Sequence, residues 1–307
     1  MDLFERRGEL DQLDAQITQA AGGQGCLAVV EGPAGIGKSR LLAEARSRAE
    51  GSMRVLSARG SELEGEFPFG VVRQLFDPEL ALPGRKEALL GGAAGSAAAV
   101  FGELDGADGA EGASFAALHG LYWLVLGLAE EGPLLISVDD LHWCDRPSLM
   151  FLTYLARRLD DRPILLLTGL REAEPGNDPA LLGELVHDPA ATLVRPGPLG
   201  EAGVAALIEE RLATAPEQGF VAACVESTGG NPLLLTQLVM ALGSEGVSPD
   251  GEHVSHVAAI GPRAVSRTVL VRLARLEDEP RAVARAAAVL GDGAALPAVA
   301  ELAGVEG

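Results

Sequence analysis

Lysine is nearly absent from this chain of 307 residues, because only Lys38 and Lys86 among its 24 basic residues are lysines. Acidic residues number 44, which gives a formal net charge of −20. A surface this negative repels polyanions, and so excludes broad binding to nucleic acid or to an anionic membrane. We therefore expect no direct nucleic-acid binding by this chain.

Cysteine and histidine are also scarce. The three cysteines, Cys26, Cys144 and Cys224, lie far apart and form no C-x-x-C pair. This spacing argues against a disulfide framework or a zinc site and favours a reducing, cytoplasmic location. His253 and His256 lie in a polar stretch without a nearby cysteine, so a solvated loop is favoured over a metal site.

Long hydrophobic runs are missing as well. The longest apolar run, at residues 118–129, stops at Glu130 and is shorter than the roughly 20 residues that a membrane span needs. The first residues are charged and contain no apolar core of a signal peptide. We expect no membrane partner.

Short apolar runs alternate with segments of helical periodicity up to about residue 198. This alternation predicts an α/β core with a parallel sheet and helices on both faces. The Gly-, Ala- and acid-rich residues 91–112 are expected to form a variable surface insertion. Strands are predicted at 26–31, 53–58, 134–138, 164–170 and 192–194, and helices at 3–21, 39–50, 71–76, 116–129 and 147–159.

The strand pattern disappears after residue 198, which predicts a helical second domain. Residues 245–261 are expected to form a loop. Helices are predicted at 201–212, 218–227, 232–243, 263–276 and 280–290.

A glycine-rich segment between the first predicted strand and the next helix matches G-x-x-x-x-G-K-(S/T) at every fixed position. Its backbone N–H groups and the helix N-terminus suit phosphate oxygens. We expect Lys38 to bind the β- and γ-phosphates of ATP or ADP, and the Ser39 hydroxyl to ligate Mg²⁺. The alternative is a glycine-rich turn with an accidental lysine. The predicted nucleotide-binding residues of this segment are Gly32, Pro33, Ala34, Gly35, Ile36, Gly37, Lys38, Ser39 and Arg40.

Two aspartates follow the apolar strand at 134–138. A phosphate-binding loop needs an acidic residue on a neighbouring strand, so Asp139 is the candidate that holds Mg²⁺. Asp140 is the candidate that orients or deprotonates the attacking water. The alternative for both residues is a solvated turn. Many active P-loop ATPases carry Glu at the position of Asp140. Because Asp is one methylene shorter than Glu, we expect slow hydrolysis.

The next predicted strand ends in an arginine, Arg171. Because the carboxyl ends of parallel strands gather at one edge, where ligands bind, Arg171 could reach the γ-phosphate. A surface arginine paired with Glu172 or Glu174 is an equally compatible interpretation.

Four blocks together resemble the ATPase module of the large ATP-binding LuxR-type transcriptional regulators, which belong to the STAND class of AAA+-related P-loop NTPases. The blocks are GPAGIGKSRLL, RGSELEGEFPFGVVRQLF, LLISVDDLHWCDRPSLMFLTYLARRL and GGNPLLL. The resemblance implies that Arg6 lies near the adenine and that Pro232 packs on the base. His142 and Trp143 match as packing or positioning residues.

The resemblance also implies a domain plan and a mechanism. Residues 1–198 would be the P-loop NTPase core, 199–245 a helical lid domain, and 246–307 a linker and partial winged-helix region. Bound ADP would hold a closed state, and ATP would release it and promote self-association. The C-terminal sensor and DNA-binding modules of the full-length protein would lie beyond residue 307, which makes this chain a fragment or a truncated product.

Three other functions are compatible with the sequence. A stand-alone P-loop enzyme such as a kinase should carry several lid arginines, whereas the helical region here is apolar. An origin-recognition-like AAA+ ATPase should present a basic surface to DNA. A pseudo-ATPase would bind nucleotide without turnover.

Overall fold

A computed structural model describes residues 3–305 except residues 66, 103–114, 172–177, 262–272, 275, 277 and 292. The chain divides into two compact units, Met1–Gly197 and Pro198–Gly307. Within the described residues, no helix has both the length and the apolar character needed to cross a membrane.

The first unit is built on a parallel sheet whose strand order is β2-β3-β4-β1-β5. Three strands are buried along almost their whole length, which explains why their sequences are continuous apolar runs. The predicted α/β fold is therefore confirmed. The five described strands are β1 (Cys26–Gly32), β2 (Arg54–Arg59), β3 (Leu134–Asp139), β4 (Ile164–Arg171) and β5 (Ala191–Val194).

Helices cover both faces of this sheet. Residues that alternate along β1 enter two different cores: Leu27 and Val29 join the larger cluster, whereas Ala28 and Val30 join the smaller one. The smaller cluster packs beneath α1 and α2, and the larger one beneath the remaining helices of this unit. These helices are α1 (Arg7–Ala21), α2 (Lys38–Ala49), α3 (Gly70–Leu80), α4 (Arg85–Leu89), α5 (Phe115–Glu130), α6 (Arg146–Ala156) and α7 (Pro179–Val186).

Strand register brings the chemically important residues to one edge. Arg59 at the end of β2 pairs with Asp139 at the end of β3. Gly32, which opens the glycine-rich loop after β1, pairs with Arg171 at the end of β4. Four strands therefore end in line, and the residues that follow them can share a ligand.

The expected surface insertion at residues 91–112 is wrong for its first half. Residues Gly92–Phe101 form a 3-10 helix whose Ala97 and Phe101 are buried against the larger core. A Cβ on Gly120 of α5 would lie 2.5 Å from the Ala97 nitrogen, so the two backbones touch. Small residues allow this approach, but they give no periodic signal in the sequence. Residues 103–112 lie outside the described part of the chain.

The second unit is helical in its described residues, as the sequence predicts. The predicted loop at 245–261 is only partly correct, because a 3-10 turn at Gly251–His253 leads into helical residues 254–261. Val257 and Ile260 are buried there, although the polar residues around them hide the apolar spacing. Most of the helix predicted at 263–276 falls outside the described residues. The other helices are α8 (Glu201–Leu212), α9 (Gln218–Thr228), α10 (Pro232–Ser244), α11 (Asp278–Leu290) and α12 (Leu296–Ala303).

Candidate nucleotide-binding site

The glycine-rich loop curls between the buried end of β1 and the first turn of α2. Gly35 and Gly37 adopt φ values of 81° and 107°, in the left-handed region that strains residues with a Cβ. Gly37 is also the residue from which α2 starts, so the N-terminal amides of α2 point toward the loop. This arrangement is the one that a phosphate group requires.

Lys38 lies inside this loop and is only 6% exposed. Its Nζ donates hydrogen bonds to the backbone oxygens of Gly32 at 2.7 Å and Pro33 at 2.9 Å. A buried cation satisfied by neutral carbonyls can exchange them for phosphate oxygens, which accept stronger, charge-assisted bonds. Ser39 is exposed in the first turn of α2, where its hydroxyl is accessible to a metal ion. The loop therefore fits a nucleotide with its Mg²⁺.

Arg6 supports the loop from the residue that precedes α1. Its guanidinium donates to the Ile36 oxygen at 3.3 Å and to the Gly197 oxygen at 2.6 Å. Burial lowers the pKa of Arg6, an effect that the nearby Glu9 and Glu5 oppose. The described contacts thus give Arg6 a positioning role beside the phosphate loop, and its predicted place near the adenine stays a prediction.

Asp139 lies at the carboxyl end of β3 with its side chain almost buried. Its Oδ1 accepts the backbone N–H of Asp140 at 2.9 Å. A Cβ on Gly169 of β4 would approach that same oxygen to 2.8 Å and the Leu42 Cδ1 to 2.7 Å. Gly169 therefore leaves the space in which the Asp139 carboxylate stands. A glycine inside an apolar strand is a sequence signal for such a close approach, and our sequence reasoning missed it.

Asp140 is held by two arginines. Arg59 donates to Asp140 Oδ2 from Nε at 3.0 Å and from a terminal nitrogen at 2.6 Å. Arg171 Nε lies 3.5 Å from the other carboxylate oxygen, and His142 Nε2 lies 4.0 Å from it. Hydrogen bonding to Asp140, and then its charge, raises the pKa of Arg59. The structure thus gathers Asp139, Asp140 and Arg171, and adds Arg59, which sequence reasoning missed.

Arg59 could have been found by the argument that selected Arg171, because it too ends a strand of the parallel sheet.

Asp145 was also missed. Its carboxylate accepts the backbone N–H groups of Phe69 at 2.8 Å, Val71 at 3.1 Å and Ser148 at 2.9 Å. One buried carboxylate thereby fixes the first turns of both α3 and α6 beside the acidic pair.

Pro232 belongs to the second unit, where it occupies the first turn of α10. Asn231 caps this helix by accepting the backbone N–H groups of Leu233 and Leu234. A Cβ on Gly230 would overlap the carbonyl of Leu199, so this segment needs its glycine for close packing. Pro232 thus occupies a capped helix start, and its predicted contact with the base stays a prediction.

An uncharacterised protein of Rhizobium meliloti strain 1021 is 29% identical over 331 aligned residues, which cover 96% of this chain and 30% of that protein. The chain thus spans less than a third of that relative's length.

Two solved structures share the fold. The ORC2 protein of Aeropyrum pernix, in its ADPNP–ADP complexes, has a TM-score of 0.55 at 16% identity, covering 98% of this chain and 80% of that one. Cdc6p from Pyrobaculum aerophilum also has a TM-score of 0.55, at 15% identity, covering 97% and 79%. At such identities the likeness shows the fold alone.

A family model described as AAA ATPase domain matches residues 2–167 of this chain. The match includes the phosphate loop at 32–39 and the acidic pair Asp139 and Asp140. It covers more than half of the chain, and the chain therefore belongs to the AAA ATPase domain family.

Proposed function

We propose that this chain is a nucleotide-switched regulatory ATPase module that binds ATP with Mg²⁺ and hydrolyses it slowly. The observation that carries the proposal is the meeting of a buried lysine, Lys38, and an acidic pair, Asp139 and Asp140, at one edge of the sheet. A phosphate loop next to carboxylates suits phosphoryl transfer to water. The adenine nucleotides of the Aeropyrum protein support ATP as the ligand.

The residues of the loop would divide the binding work. Lys38 would leave the Gly32 and Pro33 carbonyls and contact the β- and γ-phosphates. Ser39 and Asp139 would hold Mg²⁺, which supplies charge neutralisation for the phosphates when bound. Arg6 would keep the loop in shape through the Ile36 carbonyl.

Hydrolysis would depend on Asp140. Its carboxylate can accept a proton from water only when its oxygens are available, and Arg59 occupies one of them while Arg171 approaches the other. Contacts with two guanidinium groups leave the carboxylate oxygens less accessible to a water molecule, which supports slow turnover. We assign Arg171 the further role of meeting the γ-phosphate.

The finer identity that we propose is the ATPase module of a LuxR-type transcriptional regulator of the STAND class. The four sequence blocks support this identity. The chain covers only 30% of the length of the Rhizobium relative, which is compatible with further modules. In this proposal Pro232 contacts the base, the ATP-bound form self-associates, and sensor and DNA-binding modules belong to the full-length protein. The module would act in the cytoplasm.

An origin-recognition-like AAA+ ATPase is the second candidate, because the chain has the fold of two archaeal ORC/Cdc6 proteins. A net charge of −20 opposes the DNA contacts that such a role needs. Titration of labelled ATP and ADP with and without Mg²⁺, combined with turnover and duplex-DNA binding, separates the candidates. Tight nucleotide binding, slow turnover and no DNA binding support the switch, whereas tight DNA binding at physiological salt contradicts it.

A further inference from the structure

A groove beside α3 lies outside the nucleotide site. It has a volume of about 650 Å³, which is in the range of pockets for small organic molecules. We call it the α3 groove, and its described walls include Glu64, Phe67, Pro68, Arg73, Gln74 and Phe101.

The walls of the α3 groove define a ligand chemistry. Phe67 is 59% exposed, although it is a large apolar side chain, and Phe101 forms a buried wall, so the groove offers aromatic surface. The charge of Arg73 is matched by Asp77, whose Oδ2 lies 3.5 Å from its Nε. Glu64 adds a further carboxylate, which leaves one surplus negative charge among the described walls. A small apolar molecule with a positively charged amine complements this combination.

The same groove contacts the residue that restrains Asp140. Gln74 Oε1 accepts the backbone N–H of Arg59 at 3.0 Å, and Gln74 Nε2 donates to the Arg59 carbonyl at 3.3 Å. Gln74 Nε2 also donates to Glu64 Oε2 at 3.2 Å. A chain of hydrogen bonds therefore runs from Glu64 through Gln74 and Arg59 to Asp140.

We propose that the α3 groove is a regulatory site for small apolar amines, and that its occupant accelerates ATP hydrolysis. The amine would bind the Glu64 carboxylate and draw it away from Gln74. Gln74 would then hold the end of β2 less firmly, and the Arg59 guanidinium would release Asp140. The regulatory part rests on the proposed ATPase function, whereas the binding part stands without it.

Tryptamine tests the binding part, with tryptophol, its neutral alcohol analogue, as the matched probe. Ligand-observed NMR on the full chain should show tryptamine binding about fivefold tighter than tryptophol, the range of an exposed ion pair. Glu64→Gln should remove that preference but keep tryptophol binding. Phe67→Ala should weaken both probes by about tenfold, as the loss of an aromatic wall does.

Phe115→Ala is the control, because Phe115 is also exposed, at 69%, and does not line the groove. It should leave the binding of both probes unchanged. Absence of tryptamine binding, or binding that is equal in Phe67→Ala and in the unaltered chain, would overturn the proposal.

The rate of ATP hydrolysis tests whether tryptamine binding in the α3 groove changes catalysis. Saturating tryptamine should raise kcat for ATP severalfold without changing KM, and Gln74→Ala should show the raised kcat without the ligand and no further response. A merely structural role of Gln74 would lower kcat or leave it unchanged. If tryptamine binds in a way that depends on Phe67 but kcat does not change, the regulatory part is refuted and the binding part stands. Failure of the chain to bind labelled ATP would refute the ATPase proposal, and the tryptamine titration would still be readable.

Discussion

Arg59 and Asp140 form a two-donor ion pair at the edge of the sheet, with two of the three guanidinium nitrogens within 3.0 Å of one carboxylate oxygen. The pair joins the end of β2 to the residue that follows β3. It holds the candidate catalytic carboxylate in place and occupies one of its oxygens. Restraint of Asp140 by Arg59 is therefore a property of the fold.

Removal of the Arg59 guanidinium should release Asp140. We expect Arg59→Gln to raise the rate of ATP hydrolysis severalfold, up to about tenfold, because Asp140 Oδ2 is then open to the attacking water. ATP affinity should not change. Single-turnover kinetics and an ATP titration measure the two effects. Arg195→Gln is the control, since Arg195 pairs with Glu31 rather than with Asp140. An unchanged or lower rate for Arg59→Gln would contradict the restraint.

Neutralisation of Asp140 should separate binding from chemistry. We expect Asp140→Asn to bind ATP normally, because Lys38 and the loop are intact. Hydrolysis should slow by about 10²- to 10⁴-fold, the usual contribution of a general base. A steady-state phosphate-release assay gives the rate, and undiminished turnover would remove Asp140 from the catalytic role.

A methyl group at Gly169 should disturb the metal ligand. Gly169→Ala places a Cβ 2.8 Å from Asp139 Oδ1, so the carboxylate or the strand must shift. We expect a higher Mg²⁺ requirement for turnover and a loss of about 1–3 kcal/mol in the free energy of unfolding. Denaturant titration and a Mg²⁺ titration measure these. Gly183→Ala is the matched control, because a Cβ at Gly183 meets no atom within 4 Å. Equal behaviour of the two variants would refute the steric argument.

Buried thiols should make stability fall at high pH. Burial raises the pKa of Cys224 to about 12, while an unfolded thiol titrates near pH 8.5. Above pH 8.5 the unfolded chain loses a proton that the folded chain retains, so the free energy of unfolding decreases by up to about 1.4 kcal/mol per pH unit. Urea unfolding between pH 8 and 10 should show this slope, which Cys224→Ala should reduce. An equal slope in both proteins would contradict burial of this thiol.

Local motifs and strand ends were predictable from the sequence. The phosphate loop is contiguous, and Asp139 follows a continuous apolar strand, so neither depends on distant contacts. The parallel sheet then aligned Gly32, Asp139 and Arg171 as expected. The pairing of Asp140 with Arg59 was harder to foresee, because it depends on which strands are neighbours in the sheet.

Other features left no periodic signal. The segment Gly92–Phe101 is built from Gly and Ala, and its burial follows from close contact with Gly120 rather than from an apolar stripe. Helix α7 is short and was not predicted at all. Residues 254–261 contain one histidine and one serine, and their helical structure depends on the burial of Val257 and Ile260.

Lys38 should bind the phosphates of ATP, and the scarcity of lysine provides the control for this assignment. Lys38→Ala and Lys86→Ala remove the same group from the loop and from an exposed position, respectively. A titration of both variants with fluorescent ATP in Mg²⁺ measures the contribution of each lysine. We expect Lys38→Ala to lose affinity by a factor of about 100, as for a charge-assisted hydrogen bond, and Lys86→Ala to bind normally. Equal affinity of Lys38→Ala and the unaltered chain would contradict the assignment of the nucleotide site.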